Sequence, residues 1–536
     1  MINDPFREGV ARGWRVINAA LAEQDIEDEA DVVIIGSGAG GGISAEILSK
    51  SGLRVIVVEE GPLRSTHDFK MKEADAYPQL YQESAARKTA DKAINILQGR
   101  CVGGSTTVNW TSSFRTPPDT LAYWQRQFGL TDYTPEKLLP WFEMIERRLG
   151  IRPWDVPPNV NNETLRSGGT KLGIEVKVIP RNVRGCWNLG YCGTGCPTNA
   201  KQGMLLTTLP TALELGATLY SGLRAERLLI EGDQVQGVEC LAMDAKGIHP
   251  RPVKIVLRGR HVIVSAGAIG SPALLLRSRV ADPRQRIGKR TFLHPVLVSS
   301  AIMNEVVAGH SGAPQSLYSD HFLHTQAIDG PIGYKLESAP MHPVLFSTTL
   351  QGYGQRHFDL MQQFPHAQVL LALMRDGFHA ESQGGSVVLR DEGTPVLDYP
   401  ITDYLWDGAR RALLSMAEIQ FAAGAKTVIA VHEDCAGWSS WAEAKAGIAA
   451  LALRPLSTRV VSAHVMGGCA MGKDAMNSVV NDHGRHHHLA NLTIADGSLF
   501  PTSIGANPQE SVYGIVARNV SALAEELTGR AAAPMA

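Results

Sequence analysis

Apolar residues fall in short runs separated by glycine-rich breaks, and the first of these units is the most regular. Val32 to Ile35 is an uninterrupted apolar run, the pattern of a parallel strand buried on both faces. A glycine-rich break follows, then a helix-like segment from Ile43 to Lys50 that stops at Gly52. A second buried-strand run, Arg54 to Val58, ends in Glu59. The same order of strand, glycine turn and helix returns in "RHVIVSAGAIGSPALLLRS", with the strand at Val262 to Ser265. Residues 218–240 read as strands with a turn at Gly232 and Asp233. Near the C-terminus, Leu492 to Ala495 is a short strand ending at Asp496, and a helix begins at Pro508. Its apolar positions Val512, Ile515, Val516, Val520 and Leu523 share one helical face. Asn507 before Pro508 suits an N-cap followed by Pro at N1, and Glu510 completes a capping-box spacing.

These patterns divide the chain. Residues 1–30 read as a polar, helical leader. Segments 31–110, 200–295 and 456–536 share the glycine-broken strand–helix pattern and form one domain, with 111–199 as a connecting and cap region. Residues 296–455 alternate short strand-like runs with two helical stretches, 406–424 and 439–452, and read as a second, substrate-side domain. A chain of 536 residues is long enough for two cores.

Composition narrows the class. Hydrophobic residues make up 44% and charged residues 19%, as in a folded globular protein. The net charge of −2 leaves no basic surplus for nucleic acid. The N-terminus lacks a basic stretch followed by an apolar one, so no secretory signal is expected, and no apolar run reaches the length of a membrane span. The expected location is cytoplasmic, with a membrane-peripheral position as the alternative.

The glycines of the first unit carry chemistry. Gly36, Gly38 and Gly41 stand at G-x-G-x-x-G spacing between strand and helix. Gly36 permits the tight turn, Gly38 lets a pyrophosphate approach the backbone, and Gly41 lets the helix pack on the strand. The helix N-terminus then offers free N–H groups to phosphate. Glu59, eighteen residues after Gly41, is placed to accept from ribose hydroxyls. A second glycine pair in "GRCVGGSTTVNW" is followed by hydroxyl side chains, a further phosphate or ring contact.

Five ordered motifs, "GSGAGGG", "GRCVGGSTTVNW", "SAGAIGSPALLL", "HVMGGCAMG" and "ADGSLFPTSIGANP", run from about residue 31 to 525. Together they resemble the glucose–methanol–choline (GMC) oxidoreductases, in the branch of long-chain alcohol oxidases and cholesterol oxidases. The resemblance implies an α/β fold: a Rossmann-like FAD-binding domain with a discontinuous α+β substrate domain built on an antiparallel sheet. It implies an extended FAD, with Gly103, Gly104, Ser105 and Asn109 along the pyrophosphate and flavin. It adds Ala225, Ala266, Asp496 and Pro508 to the cofactor-binding positions. The C-terminal helix would point its N-terminus at the flavin, where a reduced ring carries negative charge. Some members attach FAD through a histidine at the position of Val108, so this chain is expected to hold FAD non-covalently.

The resemblance also assigns a catalytic pair. His464 would take the substrate hydroxyl proton and Asn507 would hold the substrate oxygen, while hydride passes to flavin N5. The substrate is expected to be a relatively apolar alcohol, and the electron acceptor O₂, a quinone or a cytochrome. A lyase on the same fold, and an FAD/[3Fe-4S] sugar-type dehydrogenase serving a cytochrome, stand as alternatives. Cys469 and His294 read as structural, and His486 to His488 as neighbours whose alternating faces do not converge on a metal.

Three of the 7 cysteines, Cys186, Cys192 and Cys196, sit in "GCWNLGYCGTGCP". Their C-x₅-C-x₃-C spacing resembles the cluster-bearing loop of FAD glucose and fructose dehydrogenases. Packed free thiols, a [3Fe-4S] cluster, and a disulfide or redox pair are all open on the sequence, and no other metal site is expected.

Overall fold

The computed structural model describes residues 2–535 and contains two large sheets with a core on each. In the first sheet the order is Arg15–Asn18, Thr218–Ser221, Val55–Glu59, Ile26–Ile35, Pro250–Val264, Gln234–Met243, Leu223–Glu231. The strands from Arg15–Asn18 to Pro250–Val264 pair in parallel, and Leu492–Ile494 joins Pro250–Val264 in parallel. Gln234–Met243 pairs antiparallel with both of its neighbours. Val32, Val33 and Ile34 are fully buried because helices cover the sheet: Ala39–Lys50 packs against both Gln509–Thr528 and Thr208–Glu214. The five apolar positions anticipated on the C-terminal helix are all buried.

The second sheet runs Ile94–Ile96, Val460–Ser462, Val296–Ile302, Ala367–Met374, Tyr334–Ser338, Leu317–Ser319, Lys177–Val178. Its pairs are antiparallel except for the first. Helix Asp403–Ala422 closes one face, contributing Leu405, Leu413 and Met416 to the second core. A small antiparallel sheet, Pro395–Asp398, Gly385–Leu389, Lys289–Leu293, Val465–Gly467, adjoins both. Among the described residues no helix is long and apolar enough to cross a membrane.

Several sequence-based expectations change. Residues 1–30 are not a polar helical leader. Only Pro5–Ala11 is α-helical, Arg15–Asn18 is the edge strand of the first sheet, and Ile26–Ile35 is one strand that begins before the apolar run. Ile94–Ile96 and Val460–Ser462, expected with the nucleotide-type segments, are strands of the second sheet. The connecting region 111–199 is shared: Trp124, Leu138 and Phe142 belong to the first core and Leu165 to the second.

Candidate active site

A cavity of about 960 Å³ runs between the two sheets. Its first end is the turn after Ile35. Gly36 has φ +102°, and a Cβ there would fall 2.2 Å from the Ser265 carbonyl oxygen. Gly38 caps the Ala39–Lys50 helix without a side-chain hydrogen bond, leaving the first N–H groups of the helix for a ligand. Glu59 is buried and braces this turn. Its Oε2 accepts from the Ser37 N–H at 3.2 Å and the Ser37 hydroxyl at 2.5 Å, and its Oε1 accepts from the Gly61 N–H at 2.8 Å. Burial pushes the Glu59 carboxyl above its ordinary range, and these hydrogen bonds pull the other way.

The Ser37 hydroxyl in turn accepts from the Gly103 N–H at 2.9 Å, which ties the first glycine loop to the second. Gly104 approaches Gly38 so closely that a Cβ on it would lie 2.8 Å from the Gly38 Cα. Its φ of +54° with ψ −144° is backbone that essentially only glycine adopts. Two glycine loops in near contact, an uncapped helix N-terminus and a braced carboxylate fit a dinucleotide pyrophosphate and ribose. Gly36, Gly38, Glu59, Gly104, Ser105, Asn109, Ala225, Ala266, Asp496 and Pro508 all line the cavity. Gly41 and Gly103 do not. Gly41 lies against the Gly36 carbonyl, where a Cβ would come within 1.8 Å, and Gly103 stands behind the wall. Asp496 accepts from the Gly267 N–H and the Ser271 hydroxyl, fixing the start of helix Gly267–Arg277.

At the other end His464 and Asn507 line the same cavity. His464 is half-buried on the cavity wall. Burial and the nearby Lys335 cation hold its imidazole down to a pKa of about 3, so it is neutral at physiological pH. Its Nδ1 lies 3.0 Å from Nδ1 of His294, so one proton is shared between the rings. The Gly505 N–H donates to His294 Nε2 at 3.2 Å. His294, read from the sequence as structural, is the direct hydrogen-bonding partner of His464. Burial and then the charges around it hold His294 well below its usual range.

Asn507 does not cap the C-terminal helix. Pro508 is the cap residue, and the helix runs Gln509–Thr528 with no side-chain cap. The Asn507 amide is drawn away by Lys335, which donates to Oδ1 at 2.9 Å, and by Glu337, which accepts from Nδ2 at 3.2 Å. Glu510 closes no capping box either. It is buried beside Glu146, and burial first, then that neighbour, pushes its carboxyl well above the usual range. Asn109 donates to Gln509 Oε1 at 2.6 Å, linking the second glycine loop to the foot of the C-terminal helix. Lys335, Glu337 and Ser37 carry no role in the sequence reading, and His294 is read there only as structural. Only the K-x-E alternation in "YKLES", which puts two charges on one face of a buried strand, could have signalled Lys335 and Glu337.

The cysteine loop does not assemble a metal site. Among the described residues no group of three or more His, Cys, Asp or Glu side chains is arranged to hold a metal ion, and all 7 cysteines are free thiols. The three sulfurs serve separate local contacts instead. Cys186 accepts from the Asn188 N–H, Cys192 from Arg181, and Cys196 lies against the Thr198 hydroxyl. The [3Fe-4S] expectation is therefore not supported. The loop is pinned by Lys201, whose buried ammonium donates to the carbonyls of Thr107, Asn109 and Cys192.

A family model described as GMC oxidoreductase matches residues 77–296, and a second of the same description matches residues 380–515. The chain is 29% identical over 503 residues to an uncharacterized GMC-type oxidoreductase of Sinorhizobium fredii, covering 92% of this chain and 94% of that protein. It is also 29% identical over 521 residues to the long-chain-alcohol oxidase FAO4B of Arabidopsis thaliana, covering 92% of this chain and 67% of the plant protein. The solved structure of pyridoxine 4-oxidase from Mesorbium loti superposes with a TM-score of 0.68 at 20% identity, covering 91% and 98% of the two chains.

Proposed function

We propose that this chain, which belongs to the GMC oxidoreductase family, binds FAD non-covalently and oxidises an alcohol to the aldehyde or ketone. The observation that carries this reading is that one cavity joins the two glycine loops to His464 and Asn507. When bound, FAD supplies the hydride acceptor for the substrate carbon. Ser37, Glu59, Gly38 and Gly104 form the cradle for the dinucleotide half. The N-terminus of Gln509–Thr528, uncapped by any side chain, offers N–H groups to negative charge at the far end. Val108 is a buried aliphatic side chain with no atom able to attach a flavin, in keeping with non-covalent binding.

His464 takes the hydroxyl proton as hydride leaves the carbon. A neutral imidazole is required, and burial and Lys335 keep it so. Its Nε2 accepts when the proton shared with His294 sits on His464 Nδ1, an arrangement that gives up the 3.2 Å contact from Gly505 to His294. The Asn507 amide donates to the substrate oxygen. Val296, Leu371, Leu373 and Val461 on the adjoining wall exclude water and suit a largely apolar alcohol. The relation to the plant long-chain-alcohol oxidase supports the same substrate class.

The test is a panel of primary, secondary, long-chain and aromatic alcohols offered to FAD-loaded protein, with O₂ and with an artificial dye as acceptors and the carbonyl product identified by mass. Turnover is expected for at least one apolar alcohol. Absence of any carbonyl product with both acceptors, from fully flavin-loaded protein, would overturn the reading.

A further inference from the structure

Lys335 and Glu337 form a buried ion pair that no glycine motif or catalytic-pair argument uses. Their side chains are 3% and 0% exposed, with Nζ 2.9 Å from Oε1. They alternate along the Tyr334–Ser338 strand, so both point to one face. A buried ion pair gives little net stability relative to well-packed apolar side chains. Its retention here calls for something that it organises, and the neighbours show what that is.

Lys335 donates to Asn507 Oδ1 at 2.9 Å, and Glu337 Oε2 accepts from Asn507 Nδ2 at 3.2 Å. An ammonium only donates and a carboxylate only accepts, so a single orientation of the amide satisfies both. The flipped amide would set donor against donor and acceptor against acceptor. The third side of the ammonium is closed by the Phe114 ring, whose centroid lies 3.1 Å from Nζ. Glu337 is held in turn by Gln315 at 2.7 Å, and Gln315 by the Ser112 hydroxyl at 2.8 Å. With Oδ1 and one N–H of Asn507 committed, the second N–H is the group left for the cavity.

We propose that Lys335 and Glu337 are positioning residues of the oxidation site: they lock the Asn507 amide with a donor toward the cavity. The proposal rests on the alcohol-oxidation reading for its kinetic consequence, while a titration of His464 reads the Lys335 ammonium without any substrate. The charged and titratable groups around the pair are few. Glu337, Asp320 and Tyr318 face Lys335, while Lys335 and His294 face His464. Removing the ammonium takes away the one neighbouring charge that opposes imidazole protonation at His464.

The experiment compares FAD-loaded wild type with Lys335→Met, Lys335→Arg and Glu337→Gln. The first readout needs no substrate: the imidazole of His464 is titrated by ¹⁵N NMR of histidine-labelled protein, assigned with His464→Asn. Lys335→Met is expected to raise the His464 pKa by about one unit or more, Lys335→Arg to leave it low, and Glu337→Gln not to raise it. The second readout is kinetic. Lys335→Met and Glu337→Gln are each expected to lower kcat by about tenfold with KM and flavin content little changed, and Lys335→Arg to retain most of kcat. Unchanged kcat in Lys335→Met or in Glu337→Gln overturns the proposal, and an unchanged His464 titration in Lys335→Met shows that the ammonium does not reach His464. If Lys335→Met does not fold, kcat decides it: Glu337→Gln reduced and Lys335→Arg retained supports the proposal, and both retained overturns it. If wild type oxidises no alcohol, the functional reading fails, and the Asn507 side-chain amide resonance decides the lock: a shift in both Lys335→Met and Glu337→Gln supports it, and an unchanged resonance overturns it.

Discussion

Replacing Glu59 with glutamine tests the proposed cofactor cradle at its narrowest point. The carboxylate accepts three hydrogen bonds, two from Ser37 and one from Gly61, and Ser37 passes the connection on to Gly103. A glutamine amide keeps one oxygen and turns the other into a donor. If the oxygen stays with Ser37, the new NH₂ meets the Gly61 N–H; if it turns to Gly61, it meets Ser37. Either way at least one charge-assisted hydrogen bond is lost, about 1.5–3 kcal/mol, and a buried donor is left unsatisfied, about 1–3 kcal/mol. Removing a carboxylate whose burial already pushes its pKa up offsets part of this, leaving a net cost of about 2 kcal/mol. The cost falls on the ordering of both glycine loops, so it is expected as an FAD Kd raised by about tenfold or somewhat more. The assay is titration of apoprotein with FAD, followed by flavin fluorescence. A Kd within about twofold of wild type, with unchanged thermal stability, would refute the claim that Glu59 braces the loops.

Other positions give independent checks. Gly104→Ala places a Cβ 2.8 Å from the Gly38 Cα in glycine-only backbone, so purified protein is expected to carry little flavin, a loss read from its absorbance ratio. His294→Phe removes the partner of His464 Nδ1, and kcat is expected to fall by about tenfold or more with flavin content retained. Glu510→Gln tests the buried carboxyl beside Glu146. Its folded pKa lies above the unfolded value, so its contribution to stability is present below about pH 4.3 and is lost as pH rises. The melting temperature of the variant relative to wild type is therefore expected to increase as pH rises above the unfolded value; a difference independent of pH would contradict the assignment.

What the sequence revealed, and what it hid, follows from the distances over which each feature is encoded. The first βαβ unit was legible because strand, glycine turn, helix and second strand sit within thirty-odd consecutive residues and each carries its own local signal. The Arg15–Asn18 strand had no such signal. It is four residues long, partly exposed, and exists through pairing with Thr218–Ser221, some two hundred residues later. Asn507 followed by Pro508 carries the local signature of a helix start, and local propensity loses there to Lys335 and Glu337, about 170 residues away in sequence. His294 was likewise invisible as a site residue because its meaning lies in one contact with His464 across 170 residues. The cysteine spacing shows the converse: a local pattern that matches a cluster loop, whose sulfurs the folded chain engages separately.

Anaerobic mixing of the FAD-loaded protein with an alcohol, followed at the oxidised-flavin absorbance, reaches the proposed chemistry without depending on any electron acceptor. At least one long-chain or other apolar alcohol is expected to bleach the flavin, and His464→Ala to slow that bleaching by about a hundredfold or more while leaving the flavin bound. A fully loaded protein whose flavin stays oxidised with every alcohol class, or a His464→Ala variant reduced as fast as wild type, would contradict the assignment of this cavity to alcohol oxidation.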